Sequence, residues 1–158
     1  MAEPLADQIV RKIDQTTGLY NRLLVVVGPA GSGKTSAIQD AQKRTGAPMV
    51  NVNLELSKRM LDLTERQRAL QLPRILSDIV NSSKGDTILL DNIEILFDVS
   101  LKQDPLRLLQ GLSRNKTVVV TWNGLNEGEH IIYAEPGHSE FKRYAIQDFL
   151  VAGSDVIE

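Results

Sequence analysis

A chain of 158 residues with a formal net charge of −2 and a pI near 5.7 is expected to form one domain over 1–158 and to bury about 70% of its unfolded surface. That charge excludes a global basic field for nucleic acid, so any such contact has to be local. The absence of cysteine excludes disulfides, thiolate zinc sites and cysteine nucleophiles together. The N-terminus lacks the basic and apolar regions of a leader. No apolar run approaches the roughly 20 residues of a membrane span, so a soluble, cytoplasmic protein without membrane contact is expected.

Leu5, Ile9, Val10 and Ile13 recur at helical spacing within residues 3 to 17, and Gly18 ends that helix. Leu19 and Tyr20 follow, either as packing residues or on the approach to a nucleotide base. Leu23 to Val27 are five apolar residues in a row, the pattern of a strand buried on both faces of a parallel sheet. Gly28-Pro29-Ala30-Gly31-Ser32-Gly33-Lys34-Thr35 then completes G-x-x-x-x-G-K-[ST], a phosphate loop. Gly28, Gly31 and Gly33 leave room for backbone N–H groups to approach a polyphosphate. The following helix aims its free N–H groups and positive dipole end at the same anion. Phosphate contacts are expected from Gly28 through Ser36. Lys34 sets an ammonium on the β- and γ-phosphates, and the Thr35 hydroxyl ligates Mg²⁺. The expected ligand is therefore a nucleoside triphosphate, ATP with Mg²⁺.

Ser36 to Thr45 reads as helix, closed by Gly46 and Pro48. Met49 to Leu54 alternates apolar and polar residues and reads as a second strand near an edge. Residues 55 to 81 read as two helical pieces, with a capping-box pattern at Thr64-Glu65-Arg66-Gln67 and a kink or restart at Pro73. Lys58, Arg59, Arg66, Arg68 and Arg74 gather there. They form either a surface for DNA phosphates or an acidic partner, or a solvated helix face in which Asp62 pairs with Lys58, Arg59 or Arg66. Thr87 to Asp91 is an apolar strand ending in a carboxylate. Asp104-Pro105 opens a helix over Leu106 to Leu112. Thr117 to Trp122 is a buried strand, Asn123-Gly124 a turn, Ile131 to Ala134 a short strand, and Phe149 to Val151 the strand that closes the sheet.

Asp91, at the carboxyl end of its strand, is the expected partner of Thr35 in the Mg²⁺ shell. Thr121 and Asn123 end the neighbouring strand, where a polar side chain touches the γ-phosphate or positions water. Hydrolysis also needs a group that takes a proton from that water. Glu94, just past Asp91, and Glu55, after the Met49 strand, are the two candidates. Asn92 orients water but accepts no proton. His130 and His138 carry no metal-ligand pattern and read as loop residues.

The phosphate loop, Asp91-Asn92-Ile93-Glu94 and the polar-ended strand resemble the nucleotide-binding core of AAA+ and related P-loop ATPases. That resemblance implies a three-layer α/β fold with a mostly parallel sheet in the order 5-1-4-3-2. More narrowly, NVNLELSKRMLDLTERQRALQLP, LLDNIEILFDVSLKQDPLRLLQGLSRNKTVVVTWNG and YAEPGH resemble the BrxF family, the small P-loop proteins of type III bacteriophage-exclusion (BREX) phage defence. This second resemblance spans nearly the whole chain. It implies a cytoplasmic ATPase that works with other BREX subunits against phage DNA, while a domain without a lid or an arginine finger of its own is expected to assemble as a homo-oligomer with nucleotide. Three features depart from the AAA+ pattern: Asn92 stands where a catalytic Glu is usual, no C-terminal helical lid is expected, and residues 123 to 130 hold no arginine finger. Arg114 and Arg143 are the substitutes. A small-molecule kinase and a nucleotide-gated scaffold with negligible turnover are the competing readings.

Overall fold

The structure, a computed structural model, describes residues 3–153. The expected domain limits of 1 and 158, and Met1 and Ala2 of the leader reading, lie outside the described residues. In chain order the elements are α1 (Leu5–Thr16), β1 (Leu23–Gly28), α2 (Lys34–Thr45), β2 (Met49–Asn51), α3 (Val52–Arg59), α4 (Glu65–Ser82) and β3 (Thr87–Asp91). Two short 3-10 turns, Glu94–Phe97 and Val99–Leu101, lead to α5 (Pro105–Leu112), β4 (Thr117–Glu127), β5 (His130–Tyr133), β6 (Lys142–Ala145) and β7 (Leu150–Ala152). Among the described residues no helix is long and apolar enough to cross a membrane.

The central sheet runs β2-β3-β4-β1-β7, all parallel. Counting its five parallel strands in chain order, this is the expected 5-1-4-3-2. The apolar strands are buried on both sides because alternate residues serve different layers. Leu23, Val25 and Val27 pack with Leu90, Val120, Leu56 and Leu76 under α3, α4 and α5. Leu24 and Val26 pack with Leu89, Val119, Ile9 and Ile38 under α1 and α2. Each such side chain contributes about 1.5–3 kcal/mol of burial.

Helix starts follow their caps. The Thr64 hydroxyl accepts from Gln67 N at 3.2 Å while Gln67 Oε1 accepts from Thr64 N at 2.9 Å, closing the capping box. The two expected helical pieces are α3 and α4, and α4 runs unbroken through Pro73 to Ser82 with no restart there. The Asp104 carboxylate accepts from Arg107 N at 3.3 Å and starts α5. Buried Lys116 donates from Nζ to Ser83 O (2.8 Å) and to Val80 O (3.1 Å), which also accepts from Ser83 Oγ at 2.7 Å, so these carbonyls at the end of α4 are satisfied.

The structure corrects three local expectations. The strand begun at Met49 stops at Asn51, whose side chain accepts from Leu54 N at 3.1 Å and caps α3. The alternation of Met49 to Leu54 yields to the helical pair Val52 and Leu56, both fully buried. The dipeptide Asn123-Gly124 is not a turn, because β4 runs straight through it to Glu127 and pairs antiparallel with β5. A glycine is needed there for another reason. A Cβ at Gly124 would overlap the carbonyl oxygen of Ile132. Finally, His130 opens β5 rather than lying in a loop, whereas His138 is in a loop and its Nδ1 accepts from Glu140 N at 3.0 Å.

The three-stranded unit of β4, β5 and β6 extends the sheet past its carboxyl end. Aromatic contacts seat it. Tyr133 stacks on Phe97 with ring centroids 3.5 Å apart, Trp122 meets both edge-on, and Tyr144 donates to Asp104 at 2.8 Å. Burial, aided by the nearby Glu94 and Glu140 carboxylates, pushes Tyr133 up to about 12, so its hydroxyl stays neutral.

Candidate functional site

The parallel register brings three strand ends to one level: Gly28 pairs with Asn123, and Leu90 with Val120, so Asp91 and Thr121 leave the sheet side by side. Between them and the start of α2 lies a cavity of about 400 Å³, within the usual range of small-molecule sites. One wall is the phosphate loop, represented by Ala30, Gly31, Gly33, Lys34 and Thr35. The other is Asp91, Asn92, Glu94, Thr121 and Asn123.

Gly31 and Gly33 have φ of +79° and +93°, conformations that turn successive N–H groups toward the concave side and that L side chains resist. Among the described residues no side chain caps α2 at Gly33, so its first N–H groups are available to an anion. Lys34 Nζ donates to Gly28 O at 2.8 Å and Pro29 O at 2.7 Å, which lays the ammonium across the mouth of the loop. Burial lowers the Lys34 pKa, opposed by the carboxylates of Glu94 and Asp91. A phosphate anion beside the amine would favour its charged form.

Asp91 is 3% exposed and fully engaged: Thr35 Oγ1 donates to Oδ2 at 2.9 Å and Thr121 Oγ1 to Oδ1 at 2.6 Å. A hydroxyl and a carboxylate, both hard oxygen donors, suit Mg²⁺, which uses one or two carboxylates and completes its shell with phosphate oxygens and water. Among the described residues there is no cluster of three or more His, Cys, Asp or Glu that could hold a metal by itself. The chain thus fits Mg²⁺ delivered with a polyphosphate, held by Thr35 and Asp91.

The two candidate bases separate. Glu94 opens a 3-10 turn and lines the cavity. Glu55 lies in the first turn of α3, near Lys58 at 3.9 Å and Arg59 at 3.8 Å, and is not part of the cavity wall. Asn123 lines the cavity; Gly28, Pro29, Ser32 and Ser36 belong to the loop and first turn behind its wall. Tyr20 sits at the amino end of β1, the end away from the phosphate loop, with the Arg114 guanidinium 5.4 Å from its ring centroid. Neither a base contact by Tyr20 nor a phosphate contact by Arg114 from the same chain is compatible with that placement. Arg143 is exposed on β6.

Two residues gain roles that the linear pattern does not convey. Thr121, at a strand end read as touching the γ-phosphate or positioning water, lines the cavity and donates to Asp91. Asn53, within what reads as an alternating strand, pins the segment after Asp91. Its backbone N donates to Asn92 O at 2.8 Å, its Oδ1 accepts from Ile95 N at 2.8 Å, and its Nδ2 faces Glu94 Oε1 at 3.4 Å. Asn92 has φ of +53°, a conformation Asn tolerates better than most residues. Thr121→Val is expected to weaken Mg²⁺ affinity by about 10-fold or more, since groups that orient a metal ligand carry effects of that size. Titrating Mg²⁺ into the nucleotide-loaded variant reads this, and an unchanged midpoint would remove Thr121 from the site.

A phosphate loop after the first strand, an acid ending the third, and the 5-1-4-3-2 order decide the architecture. This is a P-loop NTPase fold. No protein-family description matches the chain, and no curated protein matches it. Similar solved structures include the replication initiator DnaA bound to AMPPCP and single-stranded DNA, with 19% identity over 77% of this chain and 39% of that one, and a TM-score of 0.47. C. elegans PCH-2 is similar at 16% identity over 78% and 37%, with a TM-score of 0.44. Drosophila ORC bound to DNA is similar at 15% identity over 93% and 41%, with a TM-score of 0.48. This P-loop chain therefore spans between 37% and 41% of the length of those proteins.

Proposed function

We propose that this chain binds ATP with Mg²⁺ and hydrolyses it to ADP and phosphate. The carrying observation is the convergence of the Thr35 and Thr121 hydroxyls on Asp91 in one cavity that Lys34 and Glu94 also line. In this reading the amides of residues 28 to 36 and the Lys34 ammonium hold the β- and γ-phosphates. Thr35 and Asp91 hold Mg²⁺, which when bound neutralises charge on the transferring phosphoryl group. Glu94 accepts the proton of the attacking water, and Asn123 and Asn92 orient that water by hydrogen bonding. The preference for ATP over other nucleotides is supported by the resemblance to AAA+ ATPases. Lys34→Ala is expected to lose about 2–3 kcal/mol of nucleotide binding, the size of a charge-assisted contact. Calorimetric titration with Mg-ATP checks it, and unchanged affinity would sink the assignment.

Among the described residues no arginine lines the cavity. In this reading a second copy supplies an arginine to the γ-phosphate beside Lys34, and ATP promotes self-association; exposed Arg143 on β6 suits that role. The absence of arginine also leaves a kinase-type lid without an observation behind it. The nucleotide-gated scaffold does have one, since the residue after Asp91 is Asn92; measuring turnover against binding separates it from the ATPase.

Of the five basic residues considered for DNA, Lys58 and Arg59 lie near Glu55, and Arg68 donates to Leu63 O at 3.1 Å and Leu61 O at 3.3 Å. A DNA contact would rest mainly on Arg66 and Arg74. Service in a cytoplasmic BREX defence complex, with the other BREX subunits as partners, is supported by the sequence resemblance alone.

A further inference from the structure

A second, distinct groove of about 480 Å³ lies between the first turns of α4 and the second 3-10 turn, lined by Glu65, Arg66, Ala69, Leu70, Ser100 and Lys102. Its floor is mainly apolar. Leu70 is 72% exposed, and Val99, which opens the same 3-10 turn, is 58% exposed. Arg66 and Lys102 are both exposed and form no ion pair among the described residues, so with Glu65 the groove keeps a net positive charge. Isolated leucines on a surface mean little, but a cluster rimmed by unpaired cations marks a place for a partner.

The complementary shape is carried by the chain itself, at the tip of the β4–β5 hairpin. Leu125 is 50% exposed there, and Glu127, Gly128 and Glu129 are exposed as well. In a strand Leu125 and Glu127 point to the same side, about 7 Å apart. On α4, Arg66 and Leu70 stand one turn apart on the same face, about 5–6 Å. An apolar residue next to an acid thus meets an apolar residue next to a base at nearly matching spacing. Glu129 follows in the turn itself and adds a second exposed carboxylate at the tip, matching the second cation, Lys102.

We propose that the hairpin tip of one copy of this chain seats in the α4 groove of a second copy, with Leu125 on Ala69 and Leu70 and with Glu127 and Glu129 on Arg66 and Lys102. Tip and groove are different surfaces, so the contact is head-to-tail and builds rings or open chains rather than an isologous pair. A DNA phosphate backbone fits this groove less well, because it would cover exposed Leu70 without burying apolar surface of its own. The inference deepens the self-association proposed above and rests on it, but requires neither nucleotide nor turnover.

The test is the solution mass of the full chain by sedimentation velocity, with and without Mg-ATP and at low and high salt. Two charge-reversed variants are compared, Arg66→Glu with Lys102→Glu and Glu127→Lys with Glu129→Lys, together with a chain carrying all four changes. Each pair is expected to raise the dissociation constant at least about tenfold, since like charges across a contact are strongly unfavourable. The four-fold variant is expected to regain association. Circular dichroism, and ATP affinity measured at a concentration where the parent chain is monomeric, are expected to stay as in the parent chain. Association of the parent chain that neither pair of reversals weakens overturns the tip-and-groove seat while leaving self-association intact. A monomer under every condition overturns both. A groove reversal that abolishes binding of a labelled DNA duplex, with the tip reversal leaving the mass unchanged, assigns the groove to nucleic acid and also overturns the proposal.

Discussion

Glu94→Gln is expected to slow ATP turnover by about 100-fold or more while leaving Mg-ATP affinity nearly unchanged. A positioned general base contributes about 10²–10⁴-fold to a rate, and the amide of Gln can orient water but cannot take its proton. Binding survives because the phosphate and metal contacts come from residues 28 to 36 and Asp91, not from Glu94. Asn53 Nδ2 beside Glu94 Oε1 at 3.4 Å places the carboxylate without neutralising it. Glu55→Gln is the control, since Glu55 sits with Lys58 and Arg59 outside the cavity wall, and its turnover is expected to stay within a factor of about two. Asn92→Glu asks whether the position directly after Asp91 can serve as well. Single-turnover rates and equilibrium binding, measured on the same preparations, separate chemistry from affinity. If Glu94→Gln hydrolyses normally and Asn92→Glu accelerates the reaction, the chain is a nucleotide-gated binder with an impaired site.

Gly124→Ala is expected to destabilise the domain by about 3 kcal/mol, the upper end of the usual cost of overpacking a well-packed region. The added methyl would overlap Ile132 O, a backbone atom that cannot swing aside, and would stand 3.1 Å from Trp122 Cδ1. Relief requires β4 and β5 to part, and that also strains the bond from Trp122 Nε1 to Ile132 O, now 3.1 Å. For a domain of this size, such a loss lowers the melting temperature by roughly 6–12 °C. Thermal denaturation checks this, with Gly111→Ala as a comparison, since a Cβ at Gly111 meets nothing within 4 Å. Equal melting temperatures for the two variants would mean that the hairpin tolerates a wider strand spacing than the packing around Trp122 implies.

Much of this molecule was legible in the order of its residues, because the relevant signals are local. The phosphate loop between a five-residue apolar strand and a helix, the capping box at Thr64, the proline after Asp104 and the strand ending in Asp91 each act over less than about ten residues. Where the linear reading failed, a long-range partner overruled a local preference. Asn51 caps a helix instead of extending a strand because Val52 and Leu56 are drawn into the core under α4. Gly124, in a dipeptide that favours tight turns, is held extended because β5 approaches too closely for any side chain. The linear pattern offered two acids just past strand ends, Glu94 as the first choice of base and Glu55 as the second. Pinning by Asn53 sets Glu94 on the cavity, while one turn of helix places Glu55 with Lys58 and Arg59 on the outside. The local chemistry of a phosphate site is written in consecutive residues, whereas the choice of base depends on register between strands and the path of the loops after them. Those are settled only when distant segments compete for the same buried space.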